Sequence, residues 1–304
     1  MNAKKLSRRK MLGAAATLVA ASGLPVNAAT TAGPSGPARM ERGYARGPFG
    51  QVHFQDAGRG RPLVLIHQAP MSSRQFESVY PLFIARGIRP IGIDCPGFGM
   101  SDPMTANPNV SDWARVVPPV LDHLGIRRAD VLGHHTGALV ATEVELQFRS
   151  RVRKLVLGSA LPMPTEERLK FLANVEKNEV NFVHQPDGSH LQAAFMSRYR
   201  LYGANPPPDP KLITRYTVER FMGYGPFWHG HFAAFSYDHA VTIPLIRRPT
   251  LVITNTGDQI YEQSKTAKRM RPDFAFVELQ GGGVDIVDQH PEEWVDAIDR
   301  FLSA

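Results

Sequence analysis

The chain has 304 residues, of which 43% are hydrophobic, 21% charged and 9% aromatic. That balance excludes a disordered chain, a coiled coil, a collagen and a polytopic membrane protein, and the length allows about two average domains or one larger α/β unit. The net charge of +7 is uneven: residues 1–28 hold Lys4, Lys5, Arg8, Arg9 and Lys10 and no acid, which leaves 30 basic against 28 acidic residues in the rest. A near-neutral body does not call for a polyanion, so no nucleic-acid partner is expected. The single cysteine, Cys95, excludes an internal disulfide and a cysteine zinc cluster.

The first segment reads as an address. The basic run at residues 4–10 is followed by a mildly apolar stretch to Leu24 and then by Asn27-Ala28-Ala29, the order of a signal peptide. Ser7-Arg8-Arg9 before Met11-Leu12 resembles a twin-arginine export signal. The expectation is a signal over residues 1–28, cleaved after Ala28 or Ala29, and a periplasmic or secreted mature chain with no stable membrane insertion. Residues 29–43, rich in Gly, Pro, Thr and Ser, read as a linker.

From Gly50 onward strand-like and helix-like runs alternate. Residues 51–55 alternate polar and apolar, whereas 62–67, 88–94, 130–133, 154–158, 250–254 and 274–279 are continuously apolar. Continuous apolar strands are buried on both faces, as in a parallel sheet between helices. Helices are predicted over 72–85, stopped by Gly87; over 111–124, capped by Ser111 and kinked at Pro118-Pro119; over 136–148; and from Pro291 to the end, with proline and acids in the first turn. This order predicts a doubly wound, mostly parallel α/β sheet. It divides the body into a first core part over 44–161, a helical insertion over 162–240 rich in Phe, Tyr, Met and His, and a second core part over 241–304.

Four segments carry a resemblance. They are His67-Gln68-Ala69-Pro70; Asp94-Cys95-Pro96-Gly97-Phe98-Gly99-Met100-Ser101-Asp102-Pro103; Gly133-His134-His135-Thr136-Gly137; and Gly257-Asp258. In this order they resemble the α/β-hydrolase superfamily: the oxyanion loop, the D-x-P-G-x-G-x-S-D-x-P loop, the nucleophile elbow and the acid after the seventh strand. The resemblance covers about residues 50–304 and implies the α/β-hydrolase fold with a helical lid inserted after the sixth strand.

Two positions depart from the family pattern. The elbow carries His135 where the family has Ser, Cys or Asp. The histidine expected after the last strand falls on Val284, and His290 stands at the start of the final helix. Imidazole serves as a base or attacks carbonyl carbon, but it is no serine alkoxide. Because His135 would reach into the space of the missing pair, we expect a His135–Asp258 dyad, with His135 as base or nucleophile and Asp258 orienting it. By position, the N–H groups of Thr136 and Ala69 are the oxyanion donors. Gln68, in place of a glycine, is a candidate to donate its side-chain amide into the pocket.

His134 and His67 are read as structural, and Cys95 as inert. His229-x-His231 has metal-ligand spacing without a third ligand, so no metal is expected. Phe227, Trp228, Phe232 and Phe235 are read as lid core, with Trp228 as a candidate substrate contact. Together these readings predict an exported, cofactor-independent enzyme that hydrolyses or cleaves a small apolar carbonyl compound. Two alternatives stand beside it: a ligand-binding pseudo-hydrolase without catalysis, and a proton-transfer isomerase or lyase on the same fold.

Overall fold

The computed structural model describes residues 39–105, 107–202 and 207–304, so the segment read as a signal and most of that read as a linker lie outside the described residues. Eight strands form one sheet: β1 (Glu41–Gly47), β2 (Gly50–Asp56), β3 (Arg61–Ile66), β4 (Ile88–Ile93), β5 (Ala129–His134), β6 (Val152–Gly158), β7 (Thr250–Asn255) and β8 (Ala275–Leu279). Their order is β1-β2-β4-β3-β5-β6-β7-β8. The β1–β2 and β2–β4 pairs are antiparallel and all others parallel. The linker expected to reach residue 43 therefore ends earlier. Glu41 already pairs with Asp56, because the β1–β2 hairpin gives this polar segment a partner strand that its composition does not advertise.

Helices cover both faces. Period-two alternation along the buried strands decides which residues meet them. Val64 and Ile66 of β3, Leu155 and Leu157 of β6 and Val252 of β7 pack on the side of α2 (Val110–Ala114), α3 (Val117–His123) and α4 (Thr136–Gln147), with Trp113 and Leu121 fully buried. Leu63, Leu65, Val156, Leu251 and Ile253 face the other side, against Phe83 of α1 (Tyr80–Ala85) and Trp294 and Ile298 of α12 (Pro291–Ser303). Each such fully buried side chain is worth about 1.5–3 kcal/mol. α4 is buried over the whole run Thr136–Glu145, more than the one-sided stripe of its sequence suggests, because α2 and a lid helix cover its outer face.

Two predicted helices are shorter than their periodicity. Over 111–124 the chain makes two helices. Asn109, not Ser111, accepts the Asp112 N–H at the first cap, and Pro118 begins α3 instead of kinking one continuous helix. Over 72–85 a 3₁₀ turn (Ser73–Phe76) precedes α1, and Gly87 takes φ +72° just past its end.

Between β6 and β7 lie α5 (Thr165–Val175), a π-helical turn (Glu176–Val180), α6 (Ser189–Arg200), α7 (Pro210–Met222) and α8 (His229–Ser236). The short α9 (His239–Thr242) leads back to the sheet. After β7 come α10 (Tyr261–Met270), β8 and α11 (Ile286–Gln289). No described helix is long and apolar enough to cross a membrane.

Candidate active site

The strand-to-helix turn after β5 is built by what glycine lacks. A Cβ on Gly133 would stand 1.8 Å from the Gly137 carbonyl oxygen, and one on Gly137 would stand 2.1 Å from the carbonyl oxygen of Ile66. Both positions exclude any side chain, so the chain can turn tightly between them. His135 sits at the apex with φ +50° and ψ −116°, a conformation non-glycine residues rarely adopt and one that clusters at functional sites. Its N–H donates to the Gly158 carbonyl at 2.7 Å, which ties the turn to the end of β6.

The side chain crosses to the loop after β7. Nε2 of His135 lies 2.9 Å from Oδ2 of Asp258, whose side chain is fully buried. Ser159, directly after β6 and itself at φ +63°, donates its hydroxyl to the same oxygen, while the Ile260 N–H donates to Oδ1 at 3.1 Å. Burial pushes the Asp258 carboxyl up. The His135 charge and these hydrogen bonds outweigh burial and hold it well below the usual carboxylate range. The anion fixes the proton on Nε2 of His135 and leaves Nδ1, which has no partner among the described residues, as the basic nitrogen. The carboxylate thus holds the His135 ring in the orientation that a general base requires, without a second imidazole.

His134, its neighbour, faces the other way. It is fully buried, its Nε2 donates to the Val284 carbonyl at 3.0 Å, and Nδ1 has no partner. Burial, then the nearby His135 charge, pushes it down to about 4, so it stays neutral at pH 7. Its ring wedges edge-on between His135 and Trp294. Val284 lines the cavity where the family's base would stand, and His290 caps α12 outside it.

In the oxyanion loop, His67 is a buried brace. Nδ1 donates to the Gln68 carbonyl and Nε2 accepts from the Cys95 N–H, both at 2.9 Å. Cys95 is buried, which pushes its thiol far up and leaves it unreactive at neutral pH. Gln68 lines the cavity; its side-chain amide donates one N–H to Asp285 at 3.1 Å, and its buried Oε1 has no partner among the described residues. Ala69 and Thr136 both line the cavity, and Thr136 opens α4, where first-turn N–H groups have no helical acceptor.

The cavity holds about 280 Å³ and lies between the elbow and the lid. Leu161, Phe235, Ile260 and Val284 supply apolar wall, but Arg198, Arg220, Glu179 and His231 face it too. It is therefore less apolar than the aromatic content of the lid suggests. Trp228 does not line it. Trp228 ends the turn before α8, packs on His229 and Phe232, and borders a separate surface pocket with Phe182 and Phe227. His231 pairs with Glu179, and among the described residues no three His, Cys, Asp or Glu side chains gather as a metal site.

Sequence reading missed four groups. Ser159 was findable, since it follows a buried strand at the sheet edge where the elbow and the acid also stand. Arg198 carries no such signal. It meets Asp285 from 87 residues away, joined by Tyr202, and this cluster pins α6 to the loop after β8. Arg220 and Glu179 are equally silent in sequence. Arg220 forms no ion pair with a described residue, and its Nε is buried without a partner.

Comparison with known proteins places these features. The chain is 38% identical over 129 residues to the 2-hydroxy-6-oxononadienedioate/2-hydroxy-6-oxononatrienedioate hydrolase of Paraburkholderia phymatum, a match over 38% of this chain and 45% of that protein. It is 35% identical over 130 residues to the Escherichia coli K12 protein of the same name, again over 38% and 45%. The chain thus spans about half the length of the curated relatives it matches. Among solved structures, an epoxide hydrolase from an endophytic Streptomyces superposes with a TM-score of 0.71 at 18% identity, covering 87% of this chain and 95% of that one. A bromoperoxidase from Bacillus anthracis gives 0.70 at 19%, covering 87% and 100%. These two show the shared fold. A family model described as the alpha/beta hydrolase family matches residues 63–297, and with the sheet order, the glycine-flanked elbow and the acid after β7 in place, the chain belongs to that family.

Proposed function

We propose that this protein is a hydrolase acting on a small oxo acid, with His135 activating water and Asp258 orienting it. The observation that carries the reading is the 2.9 Å contact between Asp258 and Nε2 of His135, which lines the cavity. Water donates a proton to Nδ1 of His135 as its oxygen attacks a carbonyl carbon. The N–H groups of Thr136 and Ala69 receive the developing oxyanion. The matched relatives are named for a dicarboxylate that carries an oxo group, and Arg220, which lines the cavity and whose Nε is buried without a hydrogen-bond partner among the described residues, suits a substrate carboxylate. The reaction needs no cofactor on this reading.

The test is turnover of 2-hydroxy-6-oxononadienedioate by the purified protein and by His135→Ala. General-base catalysis is worth about 10²–10⁴ in rate, so the variant should lose that much kcat. Full activity in His135→Ala would remove His135 from the chemistry.

We also propose export through a twin-arginine signal, supported by Ser7-Arg8-Arg9 and the weakly apolar run behind it. Cell fractionation of Arg8→Lys with Arg9→Lys should find the precursor retained in the cytoplasm. Normal export of that variant overturns the proposal.

A further inference from the structure

The cavity has a second oriented imidazole, and it comes from the lid. Nδ1 of His231 on α8 lies 2.9 and 3.0 Å from the two carboxylate oxygens of Glu179. Nε2 of His231 has no partner among the described residues, and both side chains line the same cavity as His135. The arrangement repeats the one at the elbow: a carboxylate holds one ring nitrogen and leaves the other open. Glu179 belongs to a five-residue π-helical turn, an irregularity that appears mostly as a single turn and frequently at functional sites. His231 is partly exposed, with 35% of its side-chain surface accessible, so solvent protons can reach it. The charged and titratable groups that share its surroundings are Glu179 from the π turn, Arg198 from α6, Tyr216 and Arg220 from α7, and His135 from the elbow. Burial works against the Glu179 carboxylate. The hydrogen bond and charge of His231, with Arg220, outweigh it and keep Glu179 ionised.

We propose that His231, held by Glu179, is a second proton-transfer residue, which protonates the fragment that leaves when the substrate is cleaved. The proposal rests on the hydrolytic reading above. Hydrolysis at a ketone carbon breaks a carbon–carbon bond, and the electron pair of that bond departs with the carbon fragment. Water gives one proton to Nδ1 of His135 and its oxygen bonds to the carbonyl carbon. The carbon–carbon bond breaks, and protonated His231 delivers its Nε2 proton to the departing carbon. Solvent then removes the proton from His135 and returns one to His231. One imidazole accepts and the other donates, each held by its own carboxylate.

The experiment uses 2-hydroxy-6-oxononadienedioate as the probe, with the intact protein, His135→Gln, His231→Gln and Glu179→Gln. Steady-state rates are taken from pH 5 to 9, and imidazole ¹⁵N spectra are recorded with and without the probe. His231→Gln is expected to lower kcat by about 10²–10⁴ with little change in KM, and to remove the alkaline limb of the kcat profile. Glu179→Gln should lower kcat with little change in KM, since the ring then loses the carboxylate that orients it. A His231→Gln enzyme that keeps wild-type kcat and both limbs overturns the proposal, while loss of activity in His135→Gln alone leaves the elbow reading intact. If wild type binds the probe without turnover, the hydrolytic reading fails. The lid dyad then stands only if the probe shifts the His231 Nε2 resonance, and unshifted spectra reject it.

Discussion

A single oxygen, Oδ2 of Asp258, accepts from both Nε2 of His135 and the Ser159 hydroxyl. Both donors come from residues in positive-φ backbone, at the ends of neighbouring parallel strands. Removing either end of the dyad should therefore disable the same step. Asp258→Asn and His135→Ala are each expected to cost most of the turnover, and the double variant should be hardly slower than either, because residues acting as a unit are strongly non-additive. Measured kcat values that fall additively would break the dyad. Asp258→Asn should also lose stability, about 1–3 kcal/mol, since it leaves buried donors poorly matched. The dyad was legible from the sequence because a glycine-flanked turn and an Asp after a buried strand both lie at the carboxyl edge of a parallel sheet. Ser159 and Arg220 were not legible, since a serine after a strand and an arginine on a polar helix look like many others until folding brings them to the cavity.

At the level of elements, ionic contacts help to fasten the lid. Arg198 and Tyr202 bind Asp285, Arg215 and Tyr216 bind Asp288, and Arg74 and Ser72 bind Glu219. Asp285 is fully buried and also accepts from Gln68. Asp285→Ala strands the Arg198 guanidinium, and breaking one side of a buried pair typically costs about 3–5 kcal/mol. The expected result is faster proteolysis within residues 162–240 and a lower melting temperature, while the His135–Asp258 pair keeps its geometry. Equal protease resistance in wild type and variant would show that this cluster does not hold the lid. The buried parallel strands and the lid's place after β6 follow from apolar runs and glycine stops, whereas the polar β1 does not. Nor does the ionic fastening, because its partners are 72 to 147 residues apart with no local pattern linking them.

Across the whole molecule, stability should depend on pH through buried histidines. His239 accepts the Leu161 N–H at Nδ1 and meets the Thr142 hydroxyl through Nε2, and burial pushes it down to about 3. His134 is pushed down to about 4, and His67 is also lowered, in both cases chiefly by burial. In the unfolded chain each takes up a proton near pH 6.5, whereas in the folded chain it does not until well below that. The unfolded state therefore binds more protons as pH falls from 6.5 toward 4, and stability is lost over that window. His134 and His239 together should remove roughly 3 kcal/mol per pH unit there. Asp258, held low, adds its own loss only below about pH 4. Urea unfolding at pH 7.5, 6 and 5 should show the slope, and His239→Gln should make it shallower. A flat profile over that range would contradict the neutral buried histidines.

The elbow histidine has a further consequence for what mutation can reach. With His135 in contact with the acid, the loop after β8 no longer has to present an imidazole. Its Val284 carbonyl now braces His134, and the adjoining Asp285 anchors the lid. No single substitution thus installs serine chemistry at this elbow. His135→Ser alone leaves a hydroxyl with no imidazole partnering Asp258, and Val284→His alone sets two imidazoles competing for one carboxylate. Neither single variant should hydrolyse nitrophenyl esters, whereas the two changes together offer a serine, a histidine and an aspartate at the family's three positions. Two substitutions therefore separate this His135 arrangement from a serine triad, and neither one alone supplies it.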